Sequence, residues 1–478
     1  MPFNSFLFLL VFPLIFLCYR YVCSKVKFLK LGGARRIDNL FLLVLSYILY
    51  MLWKPAFALL LLGITAITFF FAIIIDKRQA YGKQRYIIVA GALFTLFPLA
   101  IFKYYHFINT NVSALLDSLG ITVSLPGLNW AVPLGISFYS FQAVGYLFDV
   151  YYKRISIERS WWDYMLFVSF FPQITAGPIS KAKDLLPQIK APRPFDYSLT
   201  IQGLQWLLWG YFLKTVIADR IALYVNLIFD SYSLQTGGSC LTAAVLYSFQ
   251  IYADFAGYSL MAIGVGAIMG FKLINNFRRP YLSVSVTDFW RRWHISLSTW
   301  LKDYIYIPLG GSRCSRIRNY VNIMATFLVS GIWHGANWTF IVWGLIHGGV
   351  QVVEKLLGLQ HYEKNNIGRV FRIILCFALV TLAWVFFRMP SLPDAVAVLT
   401  KIAVQPLSPI YTSTLAETVP VFVAPAILLL TEVIEEFTGY SLFRDRHKVV
   451  RWGSYSIVIF AILLFGVLDA STFIYASF

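Results

Sequence analysis

Apolar residues run along this chain in long continuous blocks separated by short polar segments, without alternation of apolar and polar positions. Such blocks predict helices that are apolar around most of their circumference and therefore sit in a membrane, and they exclude a transmembrane β-barrel, whose strands alternate. The blocks fall at Phe3–Leu17, Leu40–Trp53, Pro55–Ile75, Tyr86–Phe102, the stretch after Pro133, Leu199–Ile217, Leu241–Met269, Tyr320–Asn337, Trp338–Val353, Arg369–Phe387, Val419–Ile434 and Tyr455–Leu468. At roughly 20 residues per span the length accommodates about ten to thirteen crossings. The expected fold is an all-α polytopic membrane bundle forming one integral membrane unit over residues 1–478. Phe3–Leu17 has no Lys or Arg before it and no small-residue cleavage site after it, which marks an uncleaved span rather than a signal peptide. Trp161–Ile174 is too short to cross and leads into Thr175-Ala-Gly-Pro-Ile-Ser180; it is expected to dip into the membrane and return, which requires protein to bury the irregular backbone. Gly266 and Gly270 are expected to allow close helix packing.

Charge supplies the topology. Only 13% of residues are charged while 59% are apolar, too few charges to cover a water-facing surface. The formal net charge of +18 resides in short clusters between the blocks, with no basic face that would suit nucleic acid. Such clusters are retained on the cytoplasmic side. Arg20, Lys25, Lys27, Lys30, Arg35 and Arg36 place the first loop inside and the N-terminus outside. Lys77, Arg78, Lys83 and Arg85 return the chain to the cytoplasm, Asp117 lies outside, and Lys153, Arg154 and Arg159 come back inside. The polar stretch from Lys272 to Arg318 faces the cytoplasm, and Arg444, Arg446, His447, Lys448 and Arg451 mark the last inner loop, leaving the C-terminus outside. The cysteines Cys18, Cys23, Cys240, Cys314 and Cys376 are dispersed and define neither a disulfide framework nor a zinc site, so no metal is expected.

Six histidines carry the candidate chemistry. His106, His361 and His447 fall at helix ends or in loops, and His347, within Gly344-Leu-Ile-His-Gly348, is expected to pack or hydrogen-bond. His334 lies in Gly331-Ile-Trp-His-Gly335, some 20 Å into the bilayer from the basic loop if the helix continues. An ionisable group at that depth usually faces a cavity or pathway, and the flanking glycines would leave room for a substrate beside it. The alternative is a buried histidine satisfied by a neighbouring carbonyl. His294 is embedded in Asp288-Phe-Trp-Arg-Arg-Trp-His-Ile-Ser-Leu-Ser-Thr-Trp300, where Phe289, Trp293, Leu297 and Trp300 make one apolar stripe at helical spacing and Arg291, Ser298 and Lys302 can face a polar surface. An interfacial helix without catalysis also explains that stripe. Two nearby imidazoles suit acyl transfer, since a neutral imidazole accepts a hydroxyl proton at physiological pH and later returns it. Neither a GxSxG elbow nor a GxxxxGK[ST] loop is present.

Four blocks in order carry a resemblance to a known family: Val132-Pro-Leu-Gly-Ile-Ser-Phe-Tyr-Ser-Phe-Gln142, Ile174-Thr-Ala-Gly-Pro-Ile-Ser180, Phe289 to Tyr306 with Ile307-Pro-Leu-Gly-Gly-Ser-Arg313, and Ser330-Gly-Ile-Trp-His-Gly335. Together they make the chain resemble the membrane-bound O-acyltransferase (MBOAT) family, in its bacterial branch concerned with alginate O-acetylation. The resemblance implies a helical bundle with re-entrant segments around a transmembrane funnel, in a bacterial inner membrane. It implies that His334 is the catalytic histidine and His294 the second functional position. Trp290, Arg291, Trp293, Ser298, Asp303 and Trp333, in and beside the same blocks, are the candidate substrate-binding residues. The implied activity moves an acyl group, acetyl from acetyl-CoA, from the cytoplasmic face to a hydroxyl of an extracytoplasmic polysaccharide or partner protein. Acetyl-CoA would be a donor substrate, with no bound cofactor, and an extracytoplasmic acetyltransferase would be the partner. D-alanyl or other acyl transfer from a carrier protein is the nearest alternative, followed by a transporter with histidine relay groups and a non-catalytic scaffold.

Overall fold

The structure is a computed structural model that describes residues 3–28, 34–78, 84–121, 126–127, 130–175, 177–360, 366–441 and 447–467. His361, Arg444, Arg446 and the last eleven residues, 468–478, lie outside the described residues. Every regular element among the described residues is a helix, which is the polytopic all-α architecture expected from the apolar blocks. The chain divides into two compact units, Met1–Gly203 with Val265–Ile274 and Leu204–Gly264 with Asn275–Ser477.

The first unit holds α1 (Phe6–Phe28), α2 (Ala34–Met51), α3 (Pro55–Lys77), α4 (Gln84–Leu99) running through a π-helical turn into α5 (Tyr105–Ser118), α6 (Ile136–Tyr151), α7 (Trp161–Ser169), α8 (Phe171–Ile174) and α9 (Ala182–Lys190). Helices α7 and α8 realise the short segment expected to turn back. At 1.5 Å per residue, the nine residues of α7 reach only about 14 Å. The break that follows is buried, and three hydrogen bonds tie it to its neighbours. Gln142 Nε2 donates to the Phe167 carbonyl at 2.5 Å, Gln173 Nε2 donates to Gln142 Oε1 at 3.1 Å, and the Phe171 amide donates to Ser46 Oγ at 3.1 Å. Irregular backbone is tolerated in such an environment only with this kind of satisfaction.

The second unit takes in most of α10 (Tyr197–Tyr211), which continues as a π-helix over Phe212–Ala218, then α11 (Asp219–Asp230), most of α12 (Gly237–Ile268), α13 (Val286–Arg292), α14 (Ile295–Leu301), α15 (Arg316–His334), α16 (Trp338–Leu356), α17 (Asn366–Arg388), α18 (Leu392–Val404), α19 (Leu415–Thr438) and α20 (Lys448–Phe465). Six helices among the described residues are long and apolar enough to cross a membrane: α3, the α4–α5 run, α12, α17, α19 and α20. The other apolar blocks also fold as helices, among them α1, α2, α15 and α16.

The Gly266–Gly270 pair does something other than pack helices. Helix α12 ends at Ile268, Gly270 adopts φ +92°, and the Phe271 amide returns to the Gly266 carbonyl at 2.8 Å, a glycine-terminated helix stop. Close helix contacts form in the second unit. A Cβ on Gly210 would sit 2.7 Å from the Gly257 carbonyl oxygen, which brings the π-turn of Lys214 against α12. On α15, a Cβ on Gly331 would overlap the Phe340 carbonyl oxygen, and one on Gly344 of α16 would lie 3.2 Å from the Gly331 Cα. These are backbone-to-backbone crossings in which only glycine fits.

Because the atom in the way at Gly331 is backbone, Gly331→Ala is expected to destabilise the protein by about 1 to 3 kcal/mol. Gly63→Ala, with nothing within 4 Å of the added methyl, is expected to leave stability unchanged or slightly raised. Thermal melting of the two variants in detergent separates these outcomes.

Candidate active site

The site is assembled at a break between two short helices. Helix α13 starts at Ser285, whose side chain accepts from the Asp288 amide at 3.0 Å. The Glu354 carboxylate, from the far end of α16, accepts from the amides of Val286 and Thr287, the latter at 2.9 Å. An acidic group at a helix N-terminus satisfies free N–H groups and complements the helix dipole. Helix α13 stops at Arg292, and His294 then turns left-handed at φ 41°, ψ 54°. The Asn276 carbonyl accepts from the Ile295 amide at 2.9 Å and its Oδ1 from the Ser296 amide at 3.2 Å, which starts α14. The single helical stripe through Phe289, Trp293, Leu297 and Trp300 is thus two helices, although all four residues are buried as that stripe anticipated. A left-handed non-glycine residue is uncommon and is held only where its surroundings over-determine it.

His294 is fully buried. Its ring meets Phe255 of α12 edge-on at 4.6 Å and Trp333 at 5.8 Å, and its Nδ1 lies 3.5 Å from Ser296 Oγ. Complete burial excludes the interfacial, water-facing helix as the setting for this histidine. It also depresses the imidazole from the ordinary value of 6.5 to about 3, because a charged ring would be stripped of water. His294 is therefore neutral at physiological pH.

His334 is the last residue of α15 and is 2% exposed. Its ring packs against Trp333 at 4.9 Å, Trp343 at 4.8 Å and Phe387 at 5.2 Å. The flanking glycines do not open space for a substrate. Gly331 is the crossing point with α16, and a Cβ on Gly335 would overlap the Phe340 ring. Helix α15 ends there, since Gly335 is extended at φ −167°. Trp333 contacts both imidazoles, and Trp343 contacts His334 on one side and His347 at 4.9 Å on the other. His347 accepts at Nδ1 from Trp290 Nε1 at 3.2 Å, the hydrogen-bonding role expected of it, so its proton resides on Nε2.

Among the other candidates, Trp290 and Trp293 belong to the same aromatic cluster, with Trp293 stacked on Phe289 at 5.3 Å and tilted against Trp384 at 5.1 Å. Ser298 donates to the Trp293 carbonyl at 3.2 Å and so braces the turn. Arg291 points outward and is exposed, and Asp303 is half-buried in a π-helical turn over Lys302–Tyr306. Sequence reasoning missed Asn276, Trp343, Phe255 and Phe387. A buried asparagine just after a glycine-ended helix was the available signal for Asn276; the aromatic residues looked like any other apolar position in a span.

A chain whose described residues form only helices, six of them apolar and long enough to cross a membrane, with buried imidazoles among indoles, is a multi-pass membrane protein. A family model described as "MBOAT, membrane-bound O-acyltransferase family" matches residues 56–391, and the chain belongs to that family and is an O-acyltransferase. It is 38% identical over 394 residues to the probable alginate O-acetylase AlgI of Pseudomonas syringae pv. tomato, covering 82% of this chain and 73% of the relative. It is 35% identical over 390 residues to the peptidoglycan O-acetyltransferase of Helicobacter pylori, covering 76% and 73%. The teichoic acid D-alanyltransferase of Streptococcus thermophilus is 28% identical over 281 residues, covering 53% and 68%.

The depressed pKa of His294 has a stability consequence. The folded state refuses a proton that the unfolded chain takes up as pH falls through 6.5, so this contribution is complete above 6.5 and is lost progressively towards about 3. Melting temperature in detergent is expected to fall as pH is lowered from 7 to 5 (about the upper part of that window), and His294→Asn, which cannot be protonated, is expected to flatten the decline.

Proposed function

We propose that this protein transfers an acetyl group from acetyl-CoA, bound from the cytoplasmic face, to a hydroxyl of an extracytoplasmic polysaccharide or of a partner protein that passes the group onward. The observation that carries this reading is the burial of His294 and His334 against the same Trp333 indole. A neutral imidazole in a dry aromatic setting is a competent proton acceptor for an alcohol. His334 takes the acceptor hydroxyl proton as the oxygen attacks the thioester carbonyl carbon; the carbon–sulfur bond then breaks and the proton passes to the leaving thiolate. His294, fixed by its left-handed turn, orients the reacting group or polarises the carbonyl. The relatives named for O-acetylation, at 35 and 38% identity, favour acetyl over D-alanyl as the group moved.

Orientation follows from charge. The N-terminal end of α15 is flanked by Arg313, Arg316 and Arg318, a cytoplasmic cluster under the positive-inside rule. For a helix along the membrane normal, the 19 residues of α15 carry His334 about 27 Å from that end, close to the hydrocarbon thickness of about 30 Å. On this reading the donor enters from the basic side and the acceptor reaches His334 from the opposite side, with the N-terminus outside the cell.

Purified protein in detergent tests the chemistry. Release of free CoA from acetyl-CoA with a polysaccharide acceptor is expected, while ion flux in liposomes without acyl transfer would reject the enzyme mechanism. His334→Ala is expected to lower turnover by about 10² to 10⁴-fold, the usual contribution of a general base. A folded variant retaining more than about a tenth of wild-type turnover would reject that role. His294→Asn is expected to be milder than His294→Ala, because the amide keeps a donor and an acceptor and asparagine tolerates the left-handed turn. A reporter inserted after Arg78 is expected to be active in the cytoplasm and one at Asp117 inactive there; the reverse pattern would overturn the assignment of faces.

A further inference from the structure

Beside the His294 turn, the second unit encloses a cavity of about 540 Å³, in the size range of small-molecule sites. Its walls come from α10, α12, α19, α20 and the segment carrying Asn275 to Arg279. Two polar groups of residues lining it lack a protein partner among the described residues, Asn276 Nδ2 and Ser259 Oγ, on side chains each 1% exposed. Asn276 has already committed its carbonyl and Oδ1 to the amides of Ile295 and Ser296. What remains is an amide donor and a hydroxyl that both suit an acceptor oxygen, and buried polar groups of this kind are nearly always satisfied by something.

The rest of the lining combines apolar residues, with Trp206 and Trp209 from α10 and Leu260 from α12, and a polar share that includes Arg278, Arg279, Glu432 and Glu435. Helices α19 and α20 expose large apolar residues elsewhere, Leu430 at 59% and Leu463 at 67%, so these two walls border lipid. Arg278, also in the lining, is exposed to solvent. An acetyl group is far smaller than this cavity, and a polysaccharide has no apolar length to set against the tryptophans. A fatty-acyl ester has both an acceptor carbonyl and an apolar chain.

We propose that the cavity binds one acyl chain of a membrane glycerophospholipid, its ester carbonyl accepting from Asn276 and Ser259 and its phosphate facing Arg278, and that this occupancy steadies the His294 turn through Asn276. Asn276 is here a positioning residue.

The full chain, purified in mild detergent and supplied with phosphatidylethanolamine and phosphatidylglycerol, tests this by native mass spectrometry after a delipidating wash. One phospholipid is expected to stay on the wild type. Ala461→Trp, which fills the wall, is expected to retain about tenfold less, and Ser259→Ala about fivefold less. Hydrogen exchange at the amides of Ile295 and Ser296 is expected to quicken when the wild type is stripped of lipid. Equal retention by wild type and both variants would overturn the site and leave annular lipid only. Loss of lipid with unchanged exchange at Ile295 and Ser296 would overturn the coupling to His294. Should Ala461→Trp fail to fold, Ala256→Leu fills the same cavity from α12.

Discussion

The close crossing of α15 and α16 at Gly331 and Gly344 is the contact on which the site depends. Lipid tails are as apolar as leucine, so helices in a bilayer gain little from burying apolar surface against one another; they associate by van der Waals packing of close backbones. With no side chain at either position, the two backbones touch, and Trp343, one residue before Gly344, lies against His334, three residues after Gly331. Gly348, one turn further along α16, packs in the same way against Met324 and Phe327. A side chain at the crossing would hold the helices apart and pull Trp343 away from His334 and Trp290 away from His347.

Several buried polar groups in the second unit close the ends and turns of its short helices. Glu354 closes the start of α13, Asn276 closes the start of α14, and Ser298 ties back to the Trp293 carbonyl. Lys214 meets Asp254 at 2.6 Å and Asp219 at 2.8 Å, with all three side chains buried. Removing one member of such a group leaves an uncompensated buried charge, so these contacts serve the specificity of the fold more than its net stability. The π-helical turn at Phe212–Ala218 and the Gly210–Gly257 approach bring this lysine to α12.

Burial and chemistry meet at His294. Complete burial among aromatic rings keeps its imidazole neutral, the form that can take or offer a hydrogen bond without a compensating charge. The same aromatic packing around His334 and His347 makes this region dry, where hydrogen bonds and developing charges are felt more strongly than in water.

Much of the architecture was legible in the chain. The continuous apolar blocks announced helices, the segment around Trp161 announced one too short to cross, and the histidine-bearing blocks pointed to the aromatic cluster. These are local properties: hydrophobic period, segment length and residue type act within a few turns of helix. What the sequence could not decide was what each glycine is for. Gly331 and Gly335 read as room for a substrate though they make room for Phe340 of the neighbouring helix, and Gly266 with Gly270 read as a packing pair though they end a helix. Nor could it show that the helix breaks at the Trp293–His294 step, because the asparagine that accepts from the amides after the break lies eighteen residues before His294, at position 276. Sequence alone determined the helices, their membrane setting and the family; the tertiary structure decided which side chains meet, because such meetings depend on how close two distant backbones can come.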